Sequence, residues 1–123
     1  MQAIIFVGIG GFIGSVSRYL LSQIPINSTY PIMTMLINIL GAFIIGFVSE
    51  LLRERVEINT NTPLFLTSGF CGGFTTFSTF SLETLRLFQT DRHFTAIVYS
   101  CLSVITCLFA VWLGMVLARY AKV

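Results

Sequence analysis

"SGFCGGFTTFSTFSLE", residues 68–83, decides how this chain is read. It sets three glycines, four phenylalanines and a run of Ser and Thr inside an otherwise apolar segment. Glycine is a poor helix residue, by roughly 1 kcal/mol relative to alanine. The doublet Gly72-Gly73, followed by Thr75-Thr76, therefore predicts a break in the helix at that point. In lipid, a break leaves backbone N–H and C=O groups that only protein, ions or water can satisfy. It also has a use. Free carbonyls at the end of the first half-helix suit a cation, and free N–H groups at the start of the second suit an anion.

The surroundings make lipid the relevant solvent. Of 123 residues, 55% are hydrophobic and 10% charged. Ordinary soluble domains carry about 25% charged residues, so this chain lacks the material for a polar surface. Four segments reach the roughly 20 apolar residues that a membrane crossing needs. They run over about residues 3–24, 31–52, 63–88 and 94–118. The expected fold is an all-α membrane protein of four transmembrane helices in a single domain, with the third helix broken near Gly72-Gly73. Pro31 and Pro63 suit first-turn positions, where a missing N–H matters little. The first apolar run is too long for a signal segment and lacks a basic leader, so it reads as a retained span.

Charge patterning leaves the orientation open. Four spans put both termini on one side, with Arg53, Arg55, Arg119 and Lys122. The opposite side has Arg18, Arg86 and Arg92, a tally of 4 against 3. Orientation follows such a bias, and here it is close to nothing. Either one side wins narrowly, or the chain inserts both ways and forms an antiparallel dimer. A net charge of +2 with no basic cluster excludes nucleic-acid binding. Cys71, Cys101 and Cys107 lie inside apolar runs and His93 begins a helix, so neither a disulfide framework nor a metal-ligand spacing is present.

Polar residues inside the spans are the candidate site. Past the break, Phe77 and Phe80 lie three residues apart on one helical face, with Ser78, Thr79 and Ser81 beside them. A pair of positive ring edges along one track stabilises a small anion without holding it tightly, which suits conduction. The alternative is ordinary helix packing. Asn38 sits in the middle of the second span, either as an interhelical hydrogen bond or as a donor to a polar path. Thr34 shares its face. Tyr99, Ser103 and Thr106 form a stripe on the fourth span. Arg18 either snorkels from the end of the first span or sets positive charge at an anion mouth. Glu83 either pairs with Arg86 or acts as a proton-coupling carboxylate. Gly10, Gly14, Gly41 and Gly46 read as close helix contacts.

"GGFTTFSTFS" resembles the signature of the Fluc (CrcB) family of microbial fluoride channels. "GGFIGSVSRYLLS" and "PIMTMLINILGAFIIG" are similar to that family's first and second spans. The resemblance implies a fluoride channel in the cell inner membrane. It implies an antiparallel, dual-topology homodimer with two pores lined by Phe77 and Phe80. Asn38 is then a pore donor, Ser78, Thr79, Tyr99 and Ser103 a polar track, and Arg18 a residue near the pore entrance. A structural Na⁺ at the dimer centre is implied on the backbone carbonyls of Gly72 and Thr75. The family commonly has Gly before the second-span Thr, where this chain has Met33.

Fluoride enters cells as neutral HF and is trapped as the anion. A passive pore then lets the membrane potential expel it and relieves its toxicity. Two other classes compete. A small multidrug-type proton antiporter expects a deep acid in the first span, which here has Arg18 and no acid. A non-transporting assembly subunit leaves the Phe and hydroxyl run without a use. An enzyme is excluded by the lack of a convergent nucleophile and base.

Overall fold

The computed structural model describes residues 1–53 and 61–122. Among them every regular element is helical. Helix α1 spans Gln2–Ser22 and α2 spans Ile32–Leu52. The third crossing is composite: α3 (Asn61–Leu64), a π-helical segment (Phe65–Cys71), α4 (Gly72–Phe74) and α5 (Phe77–Gln89). The last helix, α6, spans His93–Ala121. Three of these helices, α1, α2 and α6, are long and apolar enough to cross a membrane unbroken. The chain is a multi-pass membrane protein. Its α6 runs past the apolar run 94–118 at both ends, beginning at His93 and continuing through Tyr120 and Ala121. Arg55 and most of the link between the second and third crossings lie outside the described residues.

The break falls two to three residues later than the glycines indicate. Gly72 and Gly73 are helical, and the chain turns extended at Thr75 (φ −81°, ψ 156°) and Thr76 (φ −148°, ψ 116°). Hydroxyl chemistry fixes the position. Thr75 donates its N–H and its hydroxyl to the Cys71 carbonyl, at 3.0 and 2.8 Å, closing the first half. Thr76 is the N-cap of α5, its Oγ1 accepting from the Thr79 N–H at 3.2 Å. A Thr at this position satisfies one of the N–H groups that a helix start leaves free.

Glycine instead governs how closely the helices approach. A Cβ at Gly14 would collide with the backbone of Phe70 and Phe74, and one at Gly73 with the backbone of Gly11. The first crossing thus lies directly on the third, backbone against backbone, as small residues permit in lipid. On the other side, α2 and α6 run parallel and touch where Gly46 meets Val111 and Gly114 meets Phe43. One turn beyond, the buried Glu50 carboxylate accepts from Arg119 Nε at 3.2 Å, tying the two C-terminal ends together. The core is narrow: Ile37, Phe74, Leu87, Ala96 and Tyr99 are buried, while Ile4, Phe12, Ile105, Leu108 and Trp112 point outward. Outward apolar side chains are what a lipid-facing surface requires.

Candidate ion pathway

The interruption at Thr75–Thr76 is held open by α2. Asn38 Nδ2 donates to the Thr76 carbonyl at 3.1 Å, and Asn38 Oδ1 accepts from the Thr76 N–H at 2.8 Å. One side chain therefore satisfies both backbone groups of the residue that a continuous helix would have paired. Asn38 serves as the interhelical bond that its depth suggests. It still borders the open cavity, and among the described residues the second N–H of its amide has no partner.

That cavity is a groove of about 460 Å³. Asn38, Thr75, Thr76, Phe77, Phe80 and Ser103 line it, with Gly72 and Cys71 nearer the first half-helix. Its wall is mainly apolar. Phe77 and Phe80 sit side by side, ring centroids 5.5 Å apart and planes at 43°. Phe77 is 78% exposed and borders the open side of the groove. Phe80 is half-buried and leans on Tyr99, centroids 5.3 Å apart.

The hydroxyls divide into two groups. Thr76 Oγ1 donates to Thr79 Oγ1 at 3.0 Å and lies 3.2 Å from Ser78 Oγ, so Ser78 and Thr79 cluster at the start of α5. Ser81 bonds back to the Phe77 carbonyl, and Thr106 to its own helix, the usual outcome for such residues. Deeper in, Tyr99 is fully buried and Ser103 nearly so. Of the stripe on α6, Ser103 lines the groove and Tyr99 touches Phe80, whereas Thr106 does neither.

Glu83 joins this second group. Thr34 donates its hydroxyl to Oε1 at 2.7 Å, and Tyr99 donates to Oε2 at 2.8 Å. No ion pair links Glu83 to Arg86, the simplest expectation from their spacing; the carboxylate is turned inward between α2 and α6 instead. Sequence spacing did supply a hint. Glu83 lies three residues after Phe80, on the same helical face.

Arg18 is not among the groove-lining residues. Its Nε donates to the Gly73 carbonyl at 3.1 Å, with Ser15 Oγ at 3.5 Å from the same oxygen. A cation at the C-terminal end of a half-helix is favourably placed against the helix dipole. Among the described residues, the carbonyls of Gly72 and Thr75 accept no hydrogen bond, and both residues face the groove. Thr76, which the sequence marks only as part of the break, is also the N-cap of α5, and Thr before a helical run is an N-cap signal.

Residues 5–115 match the family described as CrcB-like protein, Camphor Resistance (CrcB). Curated proteins named fluoride-specific ion channel FluC align with nearly the whole chain. The one from Chlorobium chlorochromatii is 44% identical over 119 residues, 95% of this chain and 92% of the relative. The one from Ruminiclostridium cellulolyticum is 47% identical over 122 residues, 97% and 94% of the two chains. The Pyrococcus furiosus protein is 39% identical over 120 residues, 97% and 98%.

Proposed function

The chain belongs to the CrcB-like family, and from that premise we propose that it is a channel through which fluoride leaves the cytoplasm passively. The observation that carries the reading is the groove at the broken third crossing, where Phe77 and Phe80 stand beside Asn38 and Ser103. Fluoride holds its water tightly, so a selective path must offer replacements of small size and modest strength. Ring edges, amide N–H and hydroxyl O–H groups are such replacements.

The route runs from the groove along Phe77 and Phe80 toward Tyr99. There the Thr34 and Tyr99 hydroxyls converge on one acceptor, the Glu83 carboxylate. An arriving fluoride is a competing acceptor for the same two O–H groups, so Glu83 acts as a stand-in that yields them when the ion passes. Ser78 and Thr79 supply hydroxyls beside the rings, and Arg18 acts by fixing the Gly73 carbonyl at the break. No proton coupling is required, which separates this reading from an antiporter.

The working unit is an antiparallel homodimer of dual topology. Supporting it are the small charge bias, the exposed Phe77 and the open apolar wall of the groove, which a second copy would complete. A structural Na⁺ fits the unclaimed carbonyls of Gly72 and Thr75, since oxygen donors are what a hard cation takes. The ion would fix the ends of the two first half-helices across the dimer.

The test is flux. Purified protein in liposomes is loaded with potassium fluoride, and efflux is followed with a fluoride electrode after valinomycin, against a chloride control. Rapid fluoride efflux with no pH gradient and little chloride efflux is expected. Absence of fluoride efflux, or dependence on a proton gradient, refutes the channel.

A further inference from the structure

The aromatic row does not stop at Tyr99. Phe77 to Phe80 is 5.5 Å between centroids, Phe80 to Tyr99 is 5.3 Å, and Tyr99 to Tyr30 is 5.4 Å with planes at 89°. Four rings thus run in contact from the groove to the segment that precedes α2. The hydroxyl of Tyr30 is shielded from solvent and has no hydrogen-bond partner among the described residues. A buried phenol O–H normally finds a partner.

Tyr30 also lines a second cleft, of about 300 Å³, formed by Ser28, Thr29, Tyr30 and Pro31 on one wall and Glu83 and Arg86 on the other. It is far more polar than the groove. Glu83 lines this cleft, and its partner Tyr99 touches Phe80 at the groove. The Arg86 side chain has neither an ion pair nor a hydrogen bond among the described residues. Arg92 holds the cleft's outer wall, donating from Nη1 to the Thr29 carbonyl at 2.7 Å and from Nη2 to Thr29 Oγ1 at 3.3 Å. Arg86 thus lines the cleft beside Glu83, and Arg92 stands on its rim through Thr29. The neighbouring Asp91 carboxylate is directed to His93, 3.7 Å away.

We propose that this cleft is the second mouth of the fluoride path, with the Tyr30 hydroxyl as its last internal donor and Arg86 as the charge that draws the anion to it. The proposal rests on the channel reading and adds two residues to it. Tyr30 hands fluoride from the buried Tyr99 and Thr34 hydroxyls to water. Arg86 offsets the Glu83 charge and raises the local anion concentration, an effect that salt screens.

Two variants in the liposome assay test it, with wild type measured alongside. Arg86→Gln is assayed at low and at high potassium isethionate, and Tyr30→Phe keeps the ring but deletes the hydroxyl. Arg86→Gln is expected to lower fluoride efflux about threefold or more at low salt and to converge on wild type at high salt, as electrostatic steering does. Tyr30→Phe is expected to lower efflux by a similar factor at both salts. An Arg86→Gln efflux equal to wild type at low salt, or reduced equally at all salts, overturns the proposal. So does a Tyr30→Phe efflux equal to wild type. If wild type itself passes no fluoride, the channel reading fails instead.

Discussion

Asn38 and Thr76 are joined by a closed pair of hydrogen bonds, 3.1 Å to the Thr76 carbonyl and 2.8 Å from its N–H. The amide takes the place of the helical partners that the break removes. Asn38→Asp keeps the acceptor and loses the donor, so one carbonyl is stranded beside a new charge. A buried unsatisfied backbone group costs about 1–3 kcal/mol. We expect Asn38→Asp to melt at lower temperature in detergent and to lose most fluoride efflux. Wild-type melting and efflux in this variant would show that the amide does not hold the break.

Phe80 touches both Phe77 and Tyr99, so its ring is the middle of the row. Phe80→Ile keeps most of the bulk and removes the positive ring edge. Losing an aromatic interaction of about 1.4 kcal/mol at the barrier slows passage roughly tenfold. Efflux should fall by that order while the elution volume of the detergent-solubilised protein stays unchanged. Unaltered efflux would assign Phe80 to packing alone.

The membrane architecture was legible in sequence because long apolar runs have few other uses. The break was legible only approximately. Glycine content marks where helix propensity is weakest, yet Gly73 is small because the α1 backbone lies against it. The interruption itself is set by the Thr75 and Thr76 hydroxyls and by Asn38, a partner 38 residues away. Such a contact has no local signature. The same holds for Glu83: its spacing to Arg86 suggests a surface pair, whereas Thr34 and Tyr99 capture it from two other helices. Arg18 carried a charge that marked it as special, but only the fold shows that it acts on the Gly73 carbonyl rather than along the groove.

Glu83 as an acceptor-only group suits two converging hydroxyl donors. Glu83→Gln replaces one oxygen by an NH₂, which sets a donor against either Thr34 or Tyr99. Fluoride efflux should drop severalfold, and Thr34→Val, which removes one of the two donors, should lower it as well. Thr34→Ser, which keeps the hydroxyl, should preserve efflux. Equal efflux in Thr34→Val and Thr34→Ser would exclude the hydroxyl from the path.

Glu50 is 5% exposed and lies near Arg119, Arg53 and Lys122. Removing a partner from a buried carboxylate is destabilising, here tempered because Arg119 is partly exposed and other cations remain. Arg119→Gln is expected to lower stability by about 1–2 kcal/mol. Glu50→Ala should do more, since it leaves three cations clustered at the ends of α2 and α6. Thermal melts in detergent check the order; a neutral Glu50→Ala would mean that the pair contributes nothing to holding these helices.

Gly72 and Gly73 are neighbours with opposite surroundings. A Cβ on Gly73 meets the Gly11 backbone inside the same chain, whereas the nearest atom to one on Gly72 is 3.9 Å away. Within one chain, then, Gly73→Ala should destabilise by about 1–3 kcal/mol through overpacking, and Gly72→Ala should be tolerated. A second copy seated on the groove changes only the second expectation. If the homodimer closes over Gly72, then Gly72→Trp should shift the protein to a monomer in crosslinking and size-exclusion experiments while its helical circular dichroism persists. A Gly72→Trp variant that remains dimeric and conducts fluoride would place the dimer contact elsewhere. It would also separate the Na⁺ proposal from this carbonyl, because a bulky neighbour would then sit at the ion's position without consequence.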